Sequence, residues 1–290
     1  MRRTLIACAI LLAQAAGLAH AAAPALPVCQ LQQAPAPEDT AARQSRALAM
    51  LPCLAHPDPL LRDDGAFETL AAWMRDKRLT PATLQAMRSQ LVAVLHAPPD
   101  AAGVHQPFAI LLLAELARVD REQPYLSPAQ RAELVTVGST WLEQVRDYRG
   151  LIDGQGWRHG VAHAADLALQ LGLNPALTTE QRQRLLTAVS SQVLADHRHS
   201  YRFGEGQRLA RAALNLHLRL GTSAADWQAW LERLAAPIGA TDPWNELRLT
   251  RMHNLREFLW PLMAGVLQVQ DAARREAWLG TVQGVLQKLG

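Results

Sequence analysis

Apolar side chains recur at helical spacing along most of the chain after residue 38. Residues 58–75 place one apolar face on a predicted helix, formed by Leu60, Phe67, Leu70, Ala71 and Met74. Residues 108–117 are almost continuously apolar, which predicts a buried central helix. Alternating apolar and polar runs stay short, and no Asn-Gly or Asp-Gly turn joins two such runs. The pattern therefore predicts helices and almost no strands.

Helix-start signals divide the chain into about ten predicted helices. Pro81 follows a candidate N-cap at Thr80, and the capping-box spacing appears at Ser127, Thr178 and Ser223. Asp242-Pro243 predicts one further helix start. Short loops between so many helices predict an all-α fold of antiparallel helix pairs, either an α-solenoid of HEAT type or an irregular helical bundle. No repeat of fixed period separates these alternatives.

The N-terminus has the pattern of a secretory signal peptide. A short basic segment, Met1-Arg2-Arg3, precedes an apolar run over residues 4–18 and the small-x-small sequence Ala19-His20-Ala21. We expect residues 1–21 to be removed by cleavage near Ala21, which would make the protein periplasmic or secreted. An uncleaved anchor fits less well, because the run is shorter than the roughly 20 residues that span a bilayer. No later stretch is apolar enough to cross a membrane.

Two further expectations follow from export. Residues 22–38 are rich in Ala, Pro and Gln and predict an extended arm, which leaves residues 39–290 as a single all-helical domain. Cys29 and Cys53 are the two cysteines of the mature chain, and in an exported protein they predict one disulfide rather than two free thiols.

The formal net charge of +3 includes Arg2 and Arg3, so the mature chain is close to neutral. With no basic patch interleaved with aromatic residues, we expect no nucleic-acid partner.

The segment from residue 159 to 171 reads as a helix with one polar stripe. His159, His163, Asp166 and Gln170 are spaced i, i+4, i+7 and i+11, which places them on one side of a helix. The other residues are apolar or small, as in a buried helix. Buried polar groups are costly without partners, so this stripe is the most informative candidate site.

A metal ion is one possible partner for the stripe. His159 and His163 have the spacing of two ligands on one helix, and Asp166 could supply a third, to a divalent transition metal such as Zn²⁺. The string His-Gly-Val-Ala-His lacks the glutamate of the metalloprotease motif. The alternative is that both histidines are neutral, hydrogen-bonded members of a polar seam in the core.

Two glycine-rich bends carry further candidate residues. The first bears Asp147, Arg149, Trp157 and Arg158, where Asp147 and Arg149 could pair with each other or Arg149 could face an anionic ligand. The second precedes Glu205 and Arg208, which could meet the histidine stripe across a groove or form part of a solvent-exposed basic face.

Three functions fit one groove built from these residues. The leading hypothesis is a binding module that holds a small polar ligand or a peptide, with ligand contacts from Asp147, Arg149, Trp157, Arg158 and Arg208. The second is a metal-dependent hydrolase, with Glu205 as the general base on a metal-bound water. The third is a purely structural seam. The hydrolase requires the side chains of His159, His163 and Asp166 to converge on one point. The binding module requires an open groove without such convergence. The structural seam requires these side chains to be closed off from solvent and fully hydrogen-bonded.

Several segments of the chain resemble the uncharacterised, all-helical DUF2785 family. The resemblance rests on residues 57–63, 106–109 and 201–209, on Asp147-Tyr148-Arg149-Gly150, and above all on residues 156–166, and it spans roughly residues 45–235. It implies an all-helical fold. It implies no activity and no catalytic residues.

Overall fold

A computed structural model describes residues 29, 39–194, 198–238 and 244–289. Eleven α-helices lie in this part of the chain. They are α1 Thr40–Met50, α2 Glu68–Arg75, α3 Pro81–His96, α4 His105–Glu122, α5 Pro128–Gln144, α6 Gly160–Leu173, α7 Thr179–Val193, α8 Glu205–Leu220, α9 Ala224–Ala235, α10 Glu246–Val266 and α11 Ala272–Lys288. The predicted all-α fold is confirmed. The predicted signal peptide and all of the arm except Cys29 lie outside the described residues.

The helices pack as two adjoining rows. Helices α2, α4, α6, α8 and α10 contact one another in that order, and α1, α3, α5 and α7 form a similar series beside them. Successive helices such as α3 and α4, or α7 and α8, connect the rows. The core lies between the rows, and α6 is buried near its centre against α4, α5 and α8.

The four predicted N-caps that the structure describes agree with it. Thr80, Ser127, Thr178 and Ser223 each accept a backbone N–H of the first helical turn, and Ser127 and Thr178 complete full capping boxes. Asp242 and Pro243 lie outside the described residues. The next described helix, α10, begins at Glu246 and is capped by Asn245.

The first predicted helix is partly a π-helix. Leu60–Phe67 has π-helical hydrogen bonding and continues directly into α2. This geometry accompanies an inward-facing Arg62, whose buried guanidinium donates to the carbonyls of His56 and Gln155 at 2.9 Å each. Apolar periodicity reports that a segment is helical, but it does not distinguish these hydrogen-bonding patterns.

A small β-hairpin interrupts the helical pattern between α5 and α6. Strand β1, Leu151–Ile152, pairs antiparallel with β2, Gly156–Trp157, around a turn that contains Asp153 and Gly154. The expectation that no Asp-Gly turn joins two strands was wrong here, because two-residue strands are too short to show alternation. Gly154 has φ 72°, a left-handed conformation that glycine adopts without strain.

The predicted disulfide is present between Cys29 and Cys53. Both residues are fully buried, and their Cα atoms lie 5.6 Å apart. Cys53 lies in a 3₁₀ helix, Leu51–Ala55, so the bond ties this part of the arm to the start of the helical body. Within the part of the chain that the structure describes, no helix has the length and apolar character to cross a membrane.

Candidate functional site

Helix α6 presents one polar side and is otherwise apolar. It begins at Gly160, one residue later than predicted, and His159 is its N-cap residue in a left-handed conformation with φ 55°. His163, Asp166 and Gln170 follow on the helix itself at one-turn spacing. The polar stripe of the sequence is therefore one residue before α6 and three residues within it.

The three helical members of the stripe open into a cleft of about 290 Å³, which we call the polar cleft. Its walls come from four helical segments in the same row: the π-helix continuing into α2, then α4, α6 and α8. The lining residues are Phe67, Arg75, Leu111, Ala114, Glu115, His163, Asp166, Leu169, Gln170, Arg208 and Arg211. Polar atoms make up more of the exposed lining than apolar atoms, and four apolar side chains, Phe67, Leu111, Ala114 and Leu169, complete it. Polar groups placed against an apolar surface are typical of small-molecule sites.

Two ion pairs cross the polar cleft between neighbouring helices. Arg208 of α8 donates from Nη1 to Oδ2 of Asp166 on α6. Arg75 of α2 donates from Nε to Oε2 of Glu115 on α4 at 3.0 Å. Arg211, one turn beyond Arg208, forms no ion pair with any carboxylate in the described part of the chain. Three guanidinium groups therefore face two carboxylates.

The Asp166 carboxylate of the polar cleft is largely shielded from solvent. Burial raises the pKa of Asp166, while the neighbouring Arg208 and Arg211 lower it without cancelling the effect. An unoccupied lone-pair site on such a carboxylate is a favourable acceptor for a positively charged donor.

His163 is neutral and its tautomer follows from its partner. The ring Nδ1 lies 3.0 Å from the backbone carbonyl of Pro107, an acceptor, so Nδ1 carries the proton and Nε2 keeps its lone pair. Burial, assisted by the nearby His159, lowers the pKa of His163 to about 3. His163 thus contributes a fixed hydrogen-bonding ring to the core side of the polar cleft.

His159 lies beyond the inner end of the polar cleft, between a tryptophan and a carboxylate. Its ring stacks on Trp157 at 4.8 Å between centroids, and its Nε2 lies 4.0 Å from Oε1 of Glu205. Glu205 is buried and accepts the backbone N–H of Phe203 at 2.9 Å. Burial lowers the pKa of His159, partly offset by Glu205. The structure thus places Glu205 beside the stripe, as the sequence suggested.

The side chains of the stripe do not converge as metal ligands. Asp166 is paired with Arg208, and Nε2 of His159 lies 4.0 Å from Glu205, whereas Nε2 of His163 keeps a free lone pair. Across the described residues, no three His, Cys, Asp or Glu side chains are grouped so that they could hold a metal ion. The proposed set of His159, His163 and Asp166 does not fit a zinc site, which leaves the general-base role of Glu205 without support.

The first glycine bend contributes to scaffolding rather than to the polar cleft. Arg149 donates from Nε to Oδ1 of Asp147 at 2.8 Å and from Nη2 to the carbonyl of Ala102 at 3.2 Å. Arg158 is buried and donates to the carbonyls of Ala102 and Gln155 at 3.3 and 3.2 Å. These arginines hold the β-hairpin against the loop between α3 and α4.

The groove expected to unite all the candidates is therefore divided in the structure. His163, Asp166 and Arg208 line the polar cleft, and His159, Trp157 and Glu205 form a stacked cluster at the N-terminal ends of α6 and α8. Asp147 lines a different groove of about 470 Å³, beside Trp141 and Pro107.

The sequence reasoning missed three charged residues of the polar cleft, Arg75, Glu115 and Arg211. Glu115 was detectable, because it is the only ionisable residue in the almost continuously apolar run 108–117. A charge in such a run requires a partner, and Arg75 supplies it. Arg75 itself gave no signal, because an arginine in the last turn of a helix is ordinary.

The fold and site define an all-helical protein with a small cleft that carries both signs of charge. The chain belongs to the family described as protein of unknown function (DUF2785), whose model matches residues 91–263. The match begins later and ends later than the segments that suggested it, and it includes α4, α6 and α8 but not α2. No curated protein and no solved structure matches the chain.

Proposed function

We propose that this protein is a binding module whose polar cleft holds a small polar ligand. One observation carries the proposal: His163, Asp166 and Gln170 open into one cleft, yet in the described residues no three His, Cys, Asp or Glu side chains are grouped to hold a metal ion. This is the geometry expected of the binding module and not of the metal-dependent hydrolase. The volume of about 290 Å³ lies near the lower end of small-molecule sites and suits a small ligand, or one end of a peptide.

A purely structural seam accounts less well for the polar cleft. A seam that only specifies packing would be closed and fully paired, whereas the buried Nε2 of His159 has no hydrogen-bond partner in the described residues. The buried Oε1 of Gln170 likewise accepts no hydrogen bond within the described part of the chain. Unsatisfied buried acceptors are uncommon and often mark a site that a ligand completes.

The remaining candidates take supporting roles in this proposal. Arg149 and Arg158 fix the hairpin that carries Trp157, and Trp157 in turn stacks on His159. Glu205 accepts the backbone N–H of Phe203 and lies 4.0 Å from His159, and we assign it no general-base role. Arg208 keeps its expected place in the ligand site, where its pairing with Asp166 holds both side chains in position.

The setting we propose is an exported protein with one helical domain. The signal-like residues 1–21, cleaved near Ala21, together with the disulfide of Cys29 and Cys53, support a periplasmic or secreted location. The two rows of helices support one domain over residues 39–290, arranged as a HEAT-type solenoid. In that arrangement the polar cleft lies in the row formed by α2, α4, α6 and α8.

A thermal-shift screen of small polar compounds tests the binding proposal. Gln170→Trp places an indole in the polar cleft, and Gln183→Trp makes the same change at an exposed position of α7. We expect compounds that raise the Tm of the wild type to raise that of Gln183→Trp equally and to lose their effect on Gln170→Trp. Compounds that stabilise all three proteins equally would place binding elsewhere and contradict the proposal.

A further inference from the structure

We propose that the ligand of the polar cleft is a small zwitterion with an apolar side chain, of the class of free apolar α-amino acids. This inference rests on the proposed function and narrows it to one ligand chemistry. It depends on three features of the lining: a cation without an ion-pair partner among the described residues, acceptors that those residues leave without donors, and an apolar wall.

The cation is Arg211 on α8. Arg208 and Arg75 are each engaged by a carboxylate, so Arg211 is the guanidinium of the polar cleft that has no ion-pair partner in the described residues. A guanidinium matches a carboxylate with two parallel hydrogen bonds, which gives direction as well as affinity. The ligand group at this end is therefore a carboxylate.

The acceptors lie one turn apart on α6. Arg208 occupies Oδ2 of Asp166, so Oδ1 remains available to a donor. Oε1 of Gln170, four residues later on the same side of the helix, accepts no hydrogen bond from the described residues. An ammonium group has three donors and no acceptor, which suits two acceptors at this spacing. A ligand with a carboxylate alone would leave Gln170 unsatisfied.

The apolar wall faces the side chain of such a ligand. Phe67, Leu111, Ala114 and Leu169 line the polar cleft together with the charged groups. Removing an aliphatic side chain from water against this wall contributes roughly 25 cal/mol per Å² of apolar surface buried.

The net charge of the lining also favours a ligand with a carboxylate. The lining carries one more cation than anions, which a ligand carboxylate neutralises, while a simple amine would add to the positive charge.

Isothermal titration of the purified protein with three matched probes tests the zwitterion. The probes are L-leucine, 4-methylpentanoate, which lacks the ammonium group, and 3-methylbutylamine, which lacks the carboxylate. We expect L-leucine to bind and each analogue to bind at least about tenfold more weakly, as lost charged hydrogen bonds imply. An analogue that binds as tightly as L-leucine would overturn the zwitterion. Failure of L-leucine, L-isoleucine, L-methionine and L-phenylalanine to bind would overturn it as well.

Substitutions in the polar cleft test which side chain binds the carboxylate and which binds the ammonium group of the ligand. Arg211→Gln should weaken L-leucine binding about tenfold without weakening 3-methylbutylamine binding, whereas Arg219→Gln, on the same helix and outside the polar cleft, should change neither affinity. Gln170→Leu should weaken L-leucine and leave 4-methylpentanoate unchanged. Equal affinities in wild type and Arg211→Gln would contradict the assignment.

The two proposals fail in distinguishable ways. If compounds other than amino acids stabilise the wild type and lose that effect in Gln170→Trp, the polar cleft is a binding site and the zwitterion is wrong. If L-leucine binds the wild type and Gln170→Trp equally, its site lies elsewhere and both proposals are wrong.

Discussion

The guanidinium of Arg208 and the carboxylate of Asp166 join α8 to α6 at the wall of the polar cleft. The side chain of Asp166 is 17% exposed and that of Arg208 is 44% exposed, so the pair lies between a buried and a surface ion pair. Breaking the pair affects the two side chains differently. Arg208 can find water when alone, whereas Asp166 then remains in a poorly solvated place.

We expect Arg208→Gln to lower the free energy of unfolding at pH 7 by about 1 kcal/mol. Burial already raises the pKa of Asp166, so the ionised carboxylate costs stability at neutral pH. That cost disappears as the pH falls through the folded-state pKa, because the carboxylate is then protonated. Urea denaturation from pH 7 to pH 3 should therefore show the deficit of the variant shrinking with acid. A deficit that grows with acid, or a loss as large in Arg219→Gln, would contradict this account.

The neutral state of His163 predicts acid sensitivity of the fold. Burial lowers the pKa of His163 to about 3, below its unfolded value of 6.5. Between these values the unfolded chain binds a proton that the folded protein does not, so stability falls as the pH decreases, by about 1.4 kcal/mol per pH unit. His217 is buried among tryptophans, with its pKa lowered to about 3, and adds a similar slope.

Replacing His163 with glutamine should make this dependence shallower. The introduced amide retains a side-chain donor for the carbonyl of Pro107 but cannot be protonated in this range. The measurement is the free energy of unfolding from urea titrations between pH 4 and pH 7. We expect the slope of His163→Gln to be smaller than that of the wild type. Identical slopes would show that His163 is already protonated, or equally solvated, in the folded protein.

The close contact between α8 and α10 predicts a cost for one added methyl group. A Cβ on Gly206, in the first turn of α8, would lie 2.6 Å from the backbone carbonyl oxygen of Glu257. Backbone cannot move aside cheaply, so Gly206→Ala should destabilise the protein by about 1–3 kcal/mol. Because α8 also carries Arg208 and Arg211, the same variant should weaken ligand binding.

Gly284→Ala is the matched control for this prediction. Gly284 lies within α11, and a Cβ there would meet no atom of the described structure within 4 Å. The substitution should stabilise the helix by about 0.5–1 kcal/mol, the usual difference between the two residues in a helix. A similar change in stability in both variants would mean that the approach of α8 to α10 does not determine the effect at Gly206.

The geometry of the stripe predicts that the protein does not retain a transition metal. Asp166 is paired with Arg208, and across the described residues no three His, Cys, Asp or Glu side chains are grouped so that they could hold a metal ion. Elemental analysis of protein purified without chelator should give well below one equivalent of metal in the wild type and in His163→Ala alike. One equivalent in the wild type that is lost in His163→Ala would restore the hydrolase hypothesis.

The sequence predicted those features that depend on local periodicity and local hydrogen bonding. Apolar spacing predicted the helices, and the caps at Ser127 and Thr178 predicted where two of them begin. The polar side of α6 was also visible, because His163, Asp166 and Gln170 share one face of any helix.

What the sequence could not predict depends on contacts between distant segments. Arg149 and Arg158 looked like ligand contacts, but both bind the carbonyl of Ala102, about fifty residues earlier in the chain. Glu115 and Arg75 come from helices outside the motif and enter the polar cleft only through packing. The hairpin was missed because tertiary contacts, such as the hydrogen bond from Arg62 to the carbonyl of Gln155, hold strands too short to be recognised alone.

A crystal structure of the protein soaked with the compound that raises its Tm most tests the binding cleft directly. The account predicts electron density for the compound between α6 and α8, in contact with Asp166, Gln170 and Arg211. Density in the groove beside Asp147 and Trp141 instead, with the polar cleft holding only water, would contradict it.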